Sequence, residues 1–257
     1  MKIKKNYGEA LVVENEEIAD NYYLLKLQLD SDHQVLPGQF YMIYSNDQTK
    51  LLGRPISVYD YEAKKRVVTF YFEAVGNGTR DIAKYRAGSL IKLLGPLGNG
   101  FIPPVDRNIL MVGGGIGIAP FYYYFQKYQR QNSIIAMFGG RDKNALTISK
   151  KFNFTTMLYS DDGSVGTSGL ITQDLAKMIK NRKIDLVLGC GNMPMLQALM
   201  KICDESNVDC YISAENRFAC GIGACDGCSI KGKHKMLRVC KEGPIFNMKD
   251  LVINNEK

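Results

Sequence analysis

Asn108-Ile-Leu-Met-Val-Gly-Gly-Gly-Ile-Gly-Ile-Ala-Pro120 decides the fold. Asn108 to Val112 is a short apolar strand that runs straight into Gly113, Gly114, Gly115 and Gly117. Phe121 to Gln131 then reads as a helix, with Pro120 suited to its first turn. Strand, glycine-rich turn and helix in that order stand where a phosphate-binding turn of an α/β sheet belongs. The glycines let backbone N–H groups approach a pyrophosphate, and the positive end of the helix favours it. The run does not spell G-x-G-x-x-G in the usual register with an acidic residue about twenty positions on. A tight turn without a ligand therefore stays open beside the phosphate site.

Downstream the same grammar repeats. Strands at Ile134 to Phe138, Thr155 to Tyr159, Leu186 to Leu188 and Cys210 to Ser213 alternate with helical stretches at 168–180 and 193–206. Such alternation predicts a parallel sheet covered on both faces. Gly189-Cys-Gly-Asn-Met-Pro-Met195 also follows an apolar strand and opens a helix, at a sheet edge where ligands collect in open α/β folds. Cys190 has no histidine near it in sequence. With only His33 and His234 in the chain, neither a Cys–His pair nor a Rieske centre is expected.

Upstream the period is two. Leu25, Leu27 and Leu29 alternate with Lys26 and Gln28, and Val67 to Val75 is rich in β-branched and aromatic residues. Six such runs, near 9–18, 22–29, 39–45, 55–60, 66–75 and 89–95, predict an antiparallel six-stranded barrel. Thr79 to Arg86 reads as its one short helix. Gly95-Pro-Leu-Gly-Asn-Gly-Phe101 and Pro103-Pro104 break the pattern. The expected organisation is β plus α/β: a barrel over residues 1–102, an α/β domain over 103–213 and a cysteine-rich region over 214–257.

That last region carries Cys220-Gly-Ile-Gly-Ala-Cys225-Asp-Gly-Cys228 and then Cys240, a C-x4-C-x2-C-x11-C spacing. Three thiols on one tight loop and a fourth further on match the plant-type arrangement that holds a [2Fe-2S] cluster. Structural zinc more often shows two short cysteine pairs, so the spacing favours the cluster over a zinc knuckle or core thiols. Cys190, Cys203 and Cys210 are left over, an odd remainder which, with no secretory signal in view, suggests a reducing, cytoplasmic setting. At 257 residues and 46% hydrophobic the chain can bury a sizeable core. Its formal charge of +7 comes with no arginine-rich run or nucleic-acid motif, so neither nucleic acid nor membrane is an expected partner. No window approaches the ~20 apolar residues of a membrane span.

Two motifs in the barrel read more strongly together than apart. Arg54-Pro-Ile-Ser57 opens a strand and Gly76-Asn-Gly-Thr79 precedes the helix. Alone they are a charged strand start and a turn; together they offer a cation, a hydroxyl and a helix N-terminus to a diphosphate. In order with Gly95 to Phe101 and Gly113 to Pro120, they resemble the ferredoxin-reductase superfamily. Within it, Ser160-Asp-Asp-Gly-Ser164, Glu215-Asn-Arg-Phe-Ala-Cys-Gly-Ile-Gly-Ala-Cys225 and Arg238-Val-Cys-Lys-Glu-Gly-Pro-Ile-Phe246 resemble the electron-transfer subunits of class B dihydroorotate dehydrogenases. Subunits of electron-bifurcating NADH-ferredoxin transhydrogenases share much of the C-terminal block.

The resemblance implies a flavin-binding barrel, a nicotinamide-binding α/β domain and a [2Fe-2S] loop with Cys220, Cys225, Cys228 and Cys240 as ligands. It implies that Arg54, Pro55, Ile56 and Ser57 lie along FAD, with Arg54 on the diphosphate and Ser57 near the isoalloxazine N5. Tyr71, Phe72 and Glu73 flank it, and Gly78 and Thr79 hold phosphate. Ile56 stands where many superfamily members have a tyrosine, and Phe218 where a methionine is common. A nicotinamide exchanges electrons in pairs and a [2Fe-2S] cluster singly, and a flavin converts between the two. The implied partner is an FMN-containing catalytic subunit that oxidises dihydroorotate, joined in a heterotetramer of two chains of each, with NAD as final acceptor. The alternatives are a subunit of an NADH-dependent ferredoxin oxidoreductase and, from another class, a zinc-stabilised module that binds a nucleotide as a regulator. Arg141 and Asp142, after the second α/β strand, argue in opposite directions on NAD against NADP.

Overall fold

The computed structural model describes residues 6–45, 51–101 and 105–252. The N-terminal half carries β1 (Asn6–Ala19), β2 (Tyr22–Gln28), β3 (Phe40–Tyr44), β4 (Arg54–Glu62), β5 (Val67–Glu73), helix α1 (Asn77–Ala83) and β6 (Leu90–Leu97). The strands close into a barrel in the order β1-β2-β5-β4-β3-β6, every pair antiparallel. Its inside is packed by Leu25, Leu27, Tyr41, Val58 and Phe70, all buried, as the period-two pattern requires. Helix α1 ends three residues before the expected Arg86. The side-chain amide of Asn15 on β1 donates to the carbonyl oxygens of Ile82, Ala83 and Tyr85 at 3.0, 3.1 and 3.0 Å, and so draws the helix end to a stop.

The second half opens with β7 (Asn108–Gly114), α2 (Ala119–Tyr128), β8 (Ser133–Gly140), β9 (Thr156–Ser160) and β10 (Thr167–Ser168). It continues with α3 (Leu175–Asn181), β11 (Leu186–Cys190), α4 (Met193–Glu205) and β12 (Asp209–Ser213). These strands pair in parallel in the order β10-β9-β8-β7-β11-β12. On β7, Ile109 and Met111 face α2, and Leu110 and Val112 face α3 and α4, so helices cover both faces as expected. The helical stretch expected over 168–180 begins later. Gly169 has φ +114°, outside the helical region, and the first helical turn starts at Ile171.

The remaining elements are a hairpin of β13 (Ser229–Lys231) and β14 (Met236–Arg238), then β15 (Ile245–Asn247). β15 pairs antiparallel with β12 and adds an edge strand that the sequence did not announce. The cysteine-rich region is thus built into the sheet, and it is also fastened to the barrel. The amide of Asn99, just past β6, donates to the carbonyls of Glu242 and Ile245 at 3.0 and 2.8 Å, and its oxygen accepts from the Ile245 N–H at 2.9 Å. Barrel and sheet meet through α2. Tyr59 on β4 stacks on Tyr122 with ring centroids 4.5 Å apart, a contact worth roughly 0.5–1.5 kcal/mol beyond its buried area. The expected boundary between 102 and 103, with Pro103-Pro104, lies outside the described residues. Among the described residues no helix is long and apolar enough to cross a membrane.

Candidate functional site

The strand order places the loops after β7 and β11 side by side at the switch point of the sheet, where open α/β folds bind ligands. A methyl group on Gly117 would run into the backbone of Cys190 and Gly191, so the two loops touch because Gly117 has no side chain. Gly115 sits at φ +55° with open space around its α-carbon. The Asn192 side chain accepts from the Met195 N–H at 3.0 Å and Pro194 occupies the first turn, which together start α4 at that corner.

Two cavities flank this corner. The first, of about 260 Å³, has Pro55, Ile56, Ser57, Tyr71, Phe72, Glu73 and Thr79 on its barrel wall. Gly117, Cys190, Glu215 and Phe218 lie on the other side. Tyr71 is only 1% exposed, and its hydroxyl has no hydrogen-bond partner among the described residues. A buried hydroxyl without a partner beside a cavity suits a ligand with polar edges. Phe218 packs on Phe40 with ring centroids 5.1 Å apart and lines this cavity. Arg54 and Gly78 are not on the wall; they touch each other at its rim, which unites the two barrel motifs.

The second cavity, of about 510 Å³, is walled by Gly114, Gly115, Gly140, Arg141, Asp161 and Asn192, among others. Gly113 lies behind it, packed against Phe138 and Ile118. The two cavities share Glu73, Ile116 and Glu215. Arg141 donates to the Glu73 carboxylate at 2.8 Å and so ties sheet to barrel at the junction, while Asp142 lies 3.4 Å from the same guanidinium. Burial, with the Glu73 charge behind it, pushes the Tyr22 hydroxyl up to about 12. Glu215 opens into the cleft, yet protein hems it in on its other sides. That desolvation raises its carboxyl above the usual range. Cys190 is 2% exposed and burial pushes its thiol up, the opposite of an activated nucleophile.

The four expected ligand thiols lie together on the C-terminal region. Cys228 and Cys240 are buried, Cys220 is half-buried and Cys225 is exposed, so the group reaches the surface. They stand as two couples, the Cys225 thiol acting on Cys220 and the Cys228 thiol on Cys240, and the Cys240 N–H donates to Cys228 Sγ at 3.4 Å. Among the described residues no three cysteine, histidine or acidic side chains converge on one ion position. A two-iron cluster asks for something else, two thiolates on each iron, and the couples fit that demand. Burial disfavours the Cys220 thiolate. The N–H groups of Ile222 and Ala224, with the thiol and N–H of Cys225, more than offset it and bring the thiol down to about 6. Cys203 and Cys210 are fully buried in the core, where they face each other.

Residues 215–252 match the iron-sulfur cluster binding domain of dihydroorotate dehydrogenase B. The chain is 36% identical over 256 residues to the dihydroorotate dehydrogenase B (NAD(+)) electron transfer subunit of Clostridium acetobutylicum, covering 98% of this chain and 100% of that one. The chain belongs to this family. The same subunit from Caldanaerobacter subterraneus subsp. tengcongensis is 37% identical over 243 residues, covering 93% and 95% of the two chains. The fold is also that of a solved NADH-dependent reduced ferredoxin-NADP oxidoreductase, with a TM-score of 0.86 at 24% identity over 95% of this chain and 89% of that one. These relatives are named electron transfer subunits of a dihydroorotate dehydrogenase, and this chain, with its reductase fold, is likewise part of an oxidoreductase. Glu215 and Asp161 fall within the motifs that carry the resemblance, but nothing in the sequence marks either as a site residue. Only the convergence of β9, β12 and β5 on one cleft reveals them.

Proposed function

We propose that the chain passes electrons from an FMN-containing dihydroorotate dehydrogenase subunit through a [2Fe-2S] cluster and FAD to NAD+, in pyrimidine biosynthesis and in the cytoplasm. The observation that carries this reading is the shared wall of the two cavities at Glu73, Ile116 and Glu215, with Phe218 of the cluster region on the first. The first cavity would take the flavin and the second the nicotinamide, and the cluster cysteines belong to the same C-terminal region as Phe218. When bound, the nicotinamide and flavin supply paired electron exchange and the cluster single electrons.

The chain's own residues would bind and orient. Arg54, with Gly78 and Thr79, would hold the FAD diphosphate, because a guanidinium forms charge-assisted paired bonds to phosphate oxygens. Pro55, Ile56 and Ser57 would lie along the ring system, and Tyr71, Phe72 and Glu73 would flank it. Ile56 offers an apolar surface where a tyrosine would stack. Gly114 and Gly115 would give the NAD pyrophosphate its backbone approach, with Gly113 and Gly117 packing the turn that allows it. Cys220 and Cys225 would hold one iron, Cys228 and Cys240 the other, which sets the exposed Cys225 side toward a partner. No general base for dihydroorotate is assigned to this chain; that chemistry belongs to the partner, expected as a heterotetramer of two chains of each.

Reconstitution tests this. The chain alone should oxidise NADH with artificial acceptors and leave dihydroorotate untouched. Dihydroorotate-dependent NAD+ reduction should appear on adding the FMN subunit from the same cell, with both chains in one eluting complex. Turnover of dihydroorotate by this chain alone would overturn the division of labour. Co-elution with a larger subunit and reduction of ferredoxin would favour the ferredoxin oxidoreductase alternative.

A further inference from the structure

Arg238 bridges the cysteine loop and the residues that follow Cys240. Its Nη2 and Nε donate to the two carboxylate oxygens of Glu242 at 2.7 and 3.2 Å, and the Glu242 carboxylate also accepts from the Arg238 N–H at 2.8 Å. Held in that fork, the remaining nitrogen, Nη1, donates to the carbonyl oxygen of Gly223 at 2.9 Å and lies 3.5 Å from Asp226 Oδ1. The carbonyl of Gly223 and the N–H of Ala224 belong to one peptide unit. That N–H donates to Cys220 Sγ at 3.3 Å. A trans peptide is planar, so its C=O and N–H point in opposite directions. Fixing the carbonyl toward Arg238 therefore fixes the N–H toward the sulfur. A cationic donor on the carbonyl also polarises the peptide and strengthens the N–H as a donor. Gly223, at φ +80°, permits the turn that sets the plane this way.

We infer that Arg238 is a positioning residue for the cluster: through the Gly223–Ala224 peptide it aims a hydrogen bond at Cys220 Sγ and so raises the cluster's reduction potential. The inference rests on the cluster reading above. Hydrogen bonds to cluster sulfurs stabilise the reduced, more negative state and are one of the protein's levers on potential. The ion pair with Glu242 makes the guanidinium nearly neutral in net charge at long range, so its orientation carries the effect more than its charge does.

The test uses the full chain, with iron and acid-labile sulfide measured first and the potential then titrated by the spectrum of the reduced cluster. A wild-type chain without iron and sulfide would refute the cluster reading itself, separately from this inference. With the cluster present, Arg238→Gln should shift the reduction equilibrium at least tenfold toward the oxidised form, about 59 mV for a one-electron couple. Arg238→Lys keeps the charge without the fork and should recover less than half of that shift. If Arg238→Gln does not retain the cluster, Arg238→Lys carries the test alone, with a lowered potential expected. A potential equal to wild type in Arg238→Lys would overturn the inference.

Discussion

The guanidinium of Arg54 lies against the α-carbon of Gly78, in the space that any side chain at that position would need. The two barrel motifs therefore form one device, in which β4 brings the cation and α1 leaves room for it. Gly78→Ala should push Arg54 aside without touching the barrel core. Arg54→Ala removes charge-assisted bonds worth about 1.5 to 3 kcal/mol. At ~1.4 kcal/mol per decade, each variant should hold FAD about tenfold more weakly or worse. Flavin released on dilution and desalting measures this, and wild-type retention in both would return the pair to a purely structural role.

The cysteines divide by neighbour as well as by spacing. Cys203 and Cys210 are fully buried and face each other in the core, while the other couples line the loop. Cys225→Ser should therefore lose most of the iron and sulfide, and Cys203→Ser should keep both. Near-full cluster occupancy in the first, or loss in the second, would move the ligand set.

What was legible in the sequence was whatever depends on local period. Leu25, Leu27 and Leu29 face the barrel interior because alternation allows nothing else, and Ile109 to Val112 is apolar throughout because both its faces are covered. The site was legible where a motif keeps its residues adjacent, as in Arg54 to Ser57. Three features were not. Ile245–Asn247 is three residues beside a glycine and a proline, too short to show any period, and it becomes a strand only because β12 offers an open edge. Phe218 meets Phe40 across some 180 positions of chain. Glu215 is an ordinary acid in sequence, and only the closing of the cleft around it gives it a role.

Discrimination between NAD and NADP follows from which groups are already engaged. Arg141, the cation a 2′-phosphate would seek, is bonded to Glu73 and Asp142. Asp161, just past the end of β9, lines the second cavity, and its carboxylate makes no hydrogen bond or ion pair among the described residues. A free carboxylate suits a ribose hydroxyl and repels a phosphate. NADH should be preferred, and Asp161→Asn should raise the KM for NADH about tenfold, the loss of one charged hydrogen bond. The same change should narrow the preference over NADPH. Steady-state kinetics with an artificial acceptor decides it, and an unchanged ratio of the two cofactors would place the discrimination elsewhere.

Glu215 is held where its charged form is least comfortable, since desolvation alone raises its carboxyl pKa and no side-chain partner relieves it among the described residues. A carboxyl whose folded pKa lies above its unfolded value, ~4.3, binds more protons in the folded state. Its contribution is then most favourable below that pH and is lost as pH rises through the folded value. At pH 7 the ionised group is a net cost to folding, modest because the carboxylate still meets water in the cleft. Glu215→Gln should therefore stabilise the cofactor-free chain at pH 7 by about half a kcal/mol, ~1–2 °C in Tm for a chain of this size. The difference should vanish below about pH 4, where both side chains are neutral. The cost is tolerated at the one wall shared by both cavities, where stability is commonly surrendered to function. The same variant should keep its flavin and iron yet turn over NADH at least tenfold more slowly, because the group at the junction orients one ring against the other. Thermal melts at pH 7 and pH 4, with NADH oxidation on the loaded chain, check both halves. A variant that melts like wild type at pH 7 and turns over at full rate would leave Glu215 as an ordinary surface acid.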